Sequence, residues 1–155
     1  MLLADEAATE SLAGIAAAHL PEQQGPLVVY LHGDLGAGKT SFARGMLRAL
    51  GEVGPVRSPT YALLAEYATP QGRVVHIDLY RLKEPDELAA LGLTDYLPGS
   101  RLWLIEWPER AAGLGLPPAD VHLHIEVAGS GRRLRFEPVT AAGRQWVATL
   151  TAGTG

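Results

Sequence analysis

Gly33-Asp34-Leu35-Gly36-Ala37-Gly38-Lys39-Thr40 lies between an apolar run, Leu27-Val28-Val29-Tyr30-Leu31, and a stretch in which Phe42, Met46, Leu47 and Leu50 recur at helical spacing. The run, bounded by Gly25-Pro26 and Gly33, has the pattern of a strand buried on both faces. The stretch reads as a helix stopped at Gly51, where a left-handed terminal residue is easiest for glycine. Strand, glycine-rich loop and helix in this order make a cradle for a triphosphate. Glycines let backbone N–H groups approach phosphate oxygens closely, and the helix aims its positive end at them. Lys39 reaches the β- and γ-phosphates, and the Thr40 hydroxyl suits magnesium. The chain has only two lysines, and its own Gly, Lys and Ser/Thr frequencies give about a 0.2% expectation of this pattern arising by chance. The loop therefore predicts ATP/ADP and Mg2+ as ligands, with Leu35, Gly36, Ala37, Gly38, Lys39 and Thr40 around the phosphates. Ser41 is either a further phosphate ligand or a helix-start serine.

Working outward, residues 5–20 place Leu12, Ile15, Ala16 and His19/Leu20 at helical spacing before Pro21, an amphipathic opening helix. Residues 51–59, rich in Gly and Pro, read as an exposed connection and a candidate mobile loop. Residues 61–67 and 73–79 flank Thr69-Pro70-Gln71-Gly72 as a hairpin. Glu84-Pro85-Asp86-Glu87-Leu88 starts a helix that ends near Gly92. Residues 101–106 form another buried strand, cut off by Pro108. Residues 121–127 and 132–136 flank Gly129-Ser130-Gly131 as a second hairpin, and a final helix from Thr140 carries Trp146, Val147 and Leu150. The expected fold is α/β: a P-loop NTPase fold with a central mixed sheet, flanking helices and antiparallel hairpin additions. Residues 1–155 form one domain, with 151–155 as a small-residue, disordered tail.

Magnesium held by Thr40 needs a carboxylate at the carboxyl end of a neighbouring strand. Asp78, ending Val74-Val75-His76-Ile77, and Glu106, ending Leu102-Trp103-Leu104-Ile105, both qualify. Direct ligation, ligation through water and positioning of the attacking water stay open between them. Asp78 also reads as a cap on the Leu79-Tyr80-Arg81 turn, and Glu106 as a surface acid. In Ser58-Pro59-Thr60-Tyr61 a hydroxyl sensing the γ-phosphate competes with an ordinary proline turn. Arg132 and Arg133 either reach the nucleotide or a partner, or stay solvated. His76, His122 and His124 lack acids at metal-ligand spacing and read as structural.

Composition narrows the function. The formal charge of −4 and pI near 5.7 argue against binding nucleic acid by bulk counterion release. The absence of cysteine removes disulfides and thiolate chemistry and fits a reducing cytoplasm. No apolar run approaches the ~18 residues a membrane span requires, and the N-terminus lacks a basic leader region. The expectation is a soluble, cytoplasmic protein with no membrane partner.

Taken together, the glycine loop, Ser58-Pro59-Thr60-Tyr61, His76-Ile77-Asp78-Leu79-Tyr80-Arg81-Leu82 and Ile105-Glu106-Trp107-Pro108-Glu109 resemble the TsaE (YjeE) family. The loop alone is generic; the other blocks carry the likeness. The resemblance implies a small ATPase required for threonylcarbamoyladenosine (t6A) modification of tRNA. Its cycle of ATP hydrolysis would support turnover of the transferase formed by its partners TsaD and TsaB. It also implies Thr40 and Glu106 at magnesium, Asp78 in a switch-like position, and Thr60 in a threonine block of the site. Lys39, Asp78, Glu106 and Thr60 are the resulting candidate catalytic residues. Thr40, Glu106 and Asp78 are the candidate metal ligands, and Arg132 a loosely aligned residue near the nucleotide. Residues near the adenine would come from the N-terminal helix. No arginine is assigned by spacing as a transition-state finger, which favours a site completed by partners.

Two other readings share the loop. A small-molecule kinase needs an acceptor pocket and a lid with clustered arginines, and residues 60–110 carry no such cluster. A nucleotide-gated binding module would hydrolyse nothing useful. A GTPase is disfavoured because no Asn-Lys-x-Asp or Thr-Lys-x-Asp block follows.

Overall fold

The computed structural model describes residues 1–153. The apolar run becomes β2 (Leu27–His32) and the following helix α2 (Lys39–Ala49). Around them, in chain order, are β1 (Leu2–Leu3), α1 (Glu6–Ala18), β3 (Leu64–Thr69), β4 (Gly72–Asp78), α3 (Pro85–Ala90), β5 (Ser100–Glu106), β6 (Val121–Ala128), β7 (Gly131–Pro138) and α4 (Ala141–Gly153). One seven-stranded sheet runs β1-β7-β6-β2-β5-β4-β3. The inner strands β6, β2, β5 and β4 are parallel, and the outer three pair antiparallel. This is the α/β, P-loop NTPase fold expected from the sequence.

Strand periodicity divides the side chains into two layers. Leu27, Val29 and Leu31 of β2 join Phe42 and Met46 of α2, Leu12 and Ala13 of α1 and Trp146 of α4 in one core. Val28, Val75, Ile77, Trp103 and Ile105 point the other way, into a core shared with Leu88 of α3, Leu79, Leu82 and Ala111. Helices begin where their caps allow: the Asp5 carboxylate accepts from the Ala8 N–H at 2.8 Å, and Glu84 with Glu87 forms a capping box.

Four details differ from the sequence expectation. The first hairpin strand starts at Leu64 rather than at Tyr61, because residues 58–63 close a turn in which the Leu63 N–H bonds the Pro59 carbonyl at 2.8 Å. Leu63 takes φ 67°, and Tyr61 is left 84% exposed. Helix α4 runs through Gly153, so residues 151–153 of the expected disordered tail are helical; residues 154–155 lie outside the described residues. Strand β5 ends at Glu106 as expected, but it is Trp107, with φ of 58°, that turns the chain, before Pro108 can. Finally, two-residue β1 pairs Leu2 with Arg133 and Leu3 with Arg132, a contact with no local signal.

Near β6 the second face of the sheet carries half-buried histidines in place of a core. The His32 ring stacks on His122 (5.0 Å) and His124 (4.7 Å), and His32 Nε2 meets His122 Nδ1 at 2.7 Å. Burial, then repulsion from His124 and His122, lowers the His32 pKa to about 4, against the upward pull of Glu109 and Glu137. With a folded pKa below the ordinary 6.5, the neutral ring is the form the fold favours. Its stabilisation is therefore present above pH 6.5 and lost as pH falls towards 4. His32→Phe is expected to flatten that acid dependence. The wild type should lose about 3 °C more in thermal midpoint between pH 7 and 4 than the variant, ~1 kcal/mol once solvent screening of the half-exposed ring is allowed for. Parallel melting curves across that range would contradict it.

Candidate functional site

At the carboxyl ends of β2, β4 and β5 lies a cleft of about 620 Å³. Its floor is the loop after β2. Gly33 leaves the strand at φ 154°, and a Cβ there would sit 2.5 Å from the Ile125 carbonyl oxygen, so this residue must be glycine. Gly38, at φ 116°, caps α2 with no side-chain hydrogen bond. The first-turn N–H groups of an 11-residue helix are thus left for a ligand, and the helix dipole favours an anion there.

Lys39 is 5% exposed, with Nζ bonded to the Gly33 carbonyl and 3.7 Å from the Trp107 ring centroid. Burial lowers its pKa, while Glu106, Asp78, Glu109 and Asp34 pull it back up. Beside it, Thr40 Oγ1 stands 3.4 Å from Glu106 Oε1. Asp78 and Glu106 are register partners on β4 and β5, so their side chains emerge on the same face, 5% and 3% exposed. Ser58 bridges them, donating to Asp78 Oδ2 and lying 3.3 Å from Glu106 Oε2. Two adjacent buried carboxylates repel each other unless a cation or proton intervenes. Neither forms an ion pair with lysine or arginine among the described residues. Hydroxyl and carboxylate oxygens are the hard donors magnesium takes, so Thr40, Glu106 and Asp78 fit that ion.

The sequence-derived residues divide by placement. Leu35, Gly36, Gly38, Lys39, Thr40, Ser41, Thr60, Asp78, Glu106 and Arg132 all line the cleft. Ala37 packs its side chain in the core, and its N–H bonds the Asp34 carbonyl at 3.0 Å. The Ser41 hydroxyl donates to Glu6 Oε1 at 2.8 Å, and the Thr60 hydroxyl meets the Ser58 carbonyl at 3.5 Å. Asp78 serves both of its readings, capping the turn through the Tyr80 N–H (2.9 Å) while facing the cleft. Arg132 clasps the loop, donating to the carbonyls of Ala37 (2.6 Å) and Gly36 (3.3 Å); Arg133 points to Glu126 on the surface. Glu6 and Thr9 bring α1 to the rim.

Sequence reading missed three neighbours of the site. Ser58 bridges the carboxylates, although Thr60 of the same block was preferred. Arg81 lines the cleft and stacks on Tyr61 at 4.6 Å. His76, read as merely structural, is fully buried with Nε2 2.6 Å from Glu106 Oε2. Strand alternation was the available signal, since residues 76 and 78 of one strand share a face.

A buried parallel strand that ends in a glycine loop, with a helix N-terminus, a lysine and paired strand-end carboxylates about one cleft, defines a P-loop nucleotide-binding protein. The family model described as threonylcarbamoyl adenosine biosynthesis protein TsaE matches residues 3–134. The chain belongs to the TsaE family. It is 41% identical over 125 residues to the tRNA threonylcarbamoyladenosine biosynthesis protein TsaE of Haemophilus influenzae, an alignment spanning 81% of this chain and 78% of that one. The TsaE protein of Aquifex aeolicus is 38% identical over 112 residues, spanning 71% and 75%. The crystal structure of Bacillus subtilis YdiB superposes with a TM-score of 0.80 at 26% identity, covering 100% of this chain and 95% of that one. Among the described residues, no helix is long and apolar enough to cross a membrane.

Proposed function

We propose that this chain is an ATPase of tRNA threonylcarbamoyladenosine formation, acting in the cytoplasm and hydrolysing magnesium-ATP in complex with TsaD and TsaB. The observation that carries the reading is the convergence of Lys39 and Thr40 with the buried pair Asp78 and Glu106 in one cleft. Bound magnesium would neutralise phosphate charge, held by Thr40 and Glu106. Lys39 would leave the Gly33 carbonyl for the β- and γ-phosphates, and the first-turn N–H groups of α2 would take the phosphate oxygens. Asp78, joined to Ser58, would orient water for in-line attack. Arg132 supports the loop through its carbonyls and is thereby occupied, and Arg81 is engaged with Tyr61. With both arginines committed, turnover by the isolated chain should be slow and should rise in the assembled complex.

The test is phosphate release from ATP with and without TsaD and TsaB, for the wild type and two variants. Glu106→Ala should weaken magnesium-dependent nucleotide binding about tenfold or more. Asp78→Ala should lower turnover at least as much as binding. Release unaltered by the partners, together with phosphorylation of an added metabolite, would replace this reading by a kinase. Undiminished activity in both variants would misplace the carboxylates.

A further inference from the structure

We infer that His76 is a positioning residue for Glu106, holding its Oε2 beside Thr40 so that Oε1 is left for the cation site. The inference rests on the proposed magnesium role of Thr40 and Glu106.

His76 stands in the middle of β4, flanked by Val74, Val75 and Ile77, all fully buried. An apolar residue would satisfy packing there at no polar expense. Burying an imidazole is unfavourable unless its nitrogens find partners, yet Nδ1 is buried without one and Nε2 has a single contact, Glu106 Oε2 at 2.6 Å. That one bond is what the ring contributes. A carboxylate only accepts, so the shared proton belongs on Nε2. Donation from a rigid, fully buried strand position then fixes Oε2. Ser58 approaches the same oxygen at 3.3 Å, and Thr40 Oγ1 stands 3.4 Å from Oε1 and 3.5 Å from Oε2, so Oε1 is the oxygen that neither His76 nor Ser58 occupies. The register explains why β4 can do this: His76 and Asp78 share a face, and Asp78 pairs with Glu106 across the ladder, so His76 lies one step behind both carboxylates. Hydrogen-bonding partners behind a metal's own ligands typically change metal affinity about 10- to 100-fold when removed.

The experiment titrates Mg2+ into the full chain with a fluorescent ADP analogue, and repeats the binding in EDTA. His76→Leu keeps bulk and loses the donor; His76→Gln returns an amide N–H near the Nε2 position. The expected result is a rise of about tenfold or more in the Mg2+ needed by His76→Leu, with binding in EDTA within about twofold of wild type. His76→Gln should recover to within about threefold of wild type. Unchanged Mg2+ dependence in folded His76→Leu, or equal loss with and without Mg2+, would overturn the inference. So would a His76→Gln defect as large as that of His76→Leu. A second measurement needs no variant: the imidazole 15N spectrum of the wild type should show the Nε2–H tautomer and respond to Mg2+ with ADP. An Nδ1–H tautomer would be equally fatal. If the wild type itself binds nucleotide with no dependence on Mg2+, the underlying reading of the site fails, not the role of His76 alone.

Discussion

Lys39→Ala is expected to weaken ATP binding at least about 100-fold and to abolish hydrolysis, while the thermal midpoint stays within a few degrees of wild type. A charge-assisted hydrogen bond contributes roughly 1.5–3 kcal/mol, and a lysine serving two phosphates makes more than one. The two arginines that line the cleft are already engaged. Arg132 is held by the carbonyls of Gly36 and Ala37, and Arg81 by the Tyr61 ring. The stability effect is small because the removed ammonium is itself destabilised by burial, as its lowered pKa shows. What is lost is the bond to Gly33 and a cation–π contact with Trp107, of order 1 kcal/mol. Calorimetric titration with ATP and a melting curve on one preparation check both halves. Hydrolysis at the wild-type rate would remove the loop from the chemistry altogether.

Gly45→Val should produce the largest loss of stability, about 3 kcal/mol or more, or roughly 10 °C in thermal midpoint for a domain of this size. Gly45 lies where α2 crosses α1, and a Cβ there would stand 2.6 Å from the Glu10 carbonyl oxygen and 2.7 Å from the Ala13 Cβ. Those are backbone and short side-chain atoms, so no rotamer change relieves the clash; the helices must separate. Ala13, Ala16 and Ala17, all on α1, and Ala43 on α2 are buried in this layer and pack closely for the same reason. Gly45→Ala should cost less, because the better helix propensity of alanine, about 1 kcal/mol, offsets part of the clash. Since α1 carries Glu6 and Thr9 to the rim of the cleft, Gly45→Val should also weaken nucleotide binding. A fall of under 3 °C for the valine variant would contradict the tight crossing.

The inner strands and the glycine loop were legible in the sequence because their signals are local. Five apolar residues in a row, then glycines at fixed offsets, then helical spacing, leave one reading for residues 27–50. The two hairpins were legible from their turns, Pro70-Gln71 and Gly129-Ser130, which join strands of alternating pattern. Where reading failed, the deciding interaction was distant or was a backbone choice. Tyr61, Ala62 and Leu63 look like strand by residue type, but the turn from Pro59 and the left-handed Leu63 take them out of the ladder. Trp107 adopts φ 58° although nothing about tryptophan favours it; its place over Lys39 can be seen only once the fold has formed. For the site, strand-end carboxylates could be named from position alone. Their bridging by Ser58, and the Arg132 clasp on the loop, join segments 20 and 95 residues apart and left no periodic trace.

The two-residue strand at the N-terminus sets an order of assembly. Leu2 and Leu3 pair with Arg133 and Arg132, and the Met1 ammonium bonds the Leu134 carbonyl at 2.9 Å. A chain emerging from the ribosome has made its glycine loop long before it has made β7, so the loop must wait for its clasp until the last third of the protein is available. Closing a contact across so much chain is slow and comes late. A nascent or interrupted chain therefore lacks Arg132 behind Gly36 and Ala37 just when its nucleotide cleft would otherwise be complete. The backbone of the glycine loop is thus steadied by Arg132 only once the outer strands of the sheet have joined it.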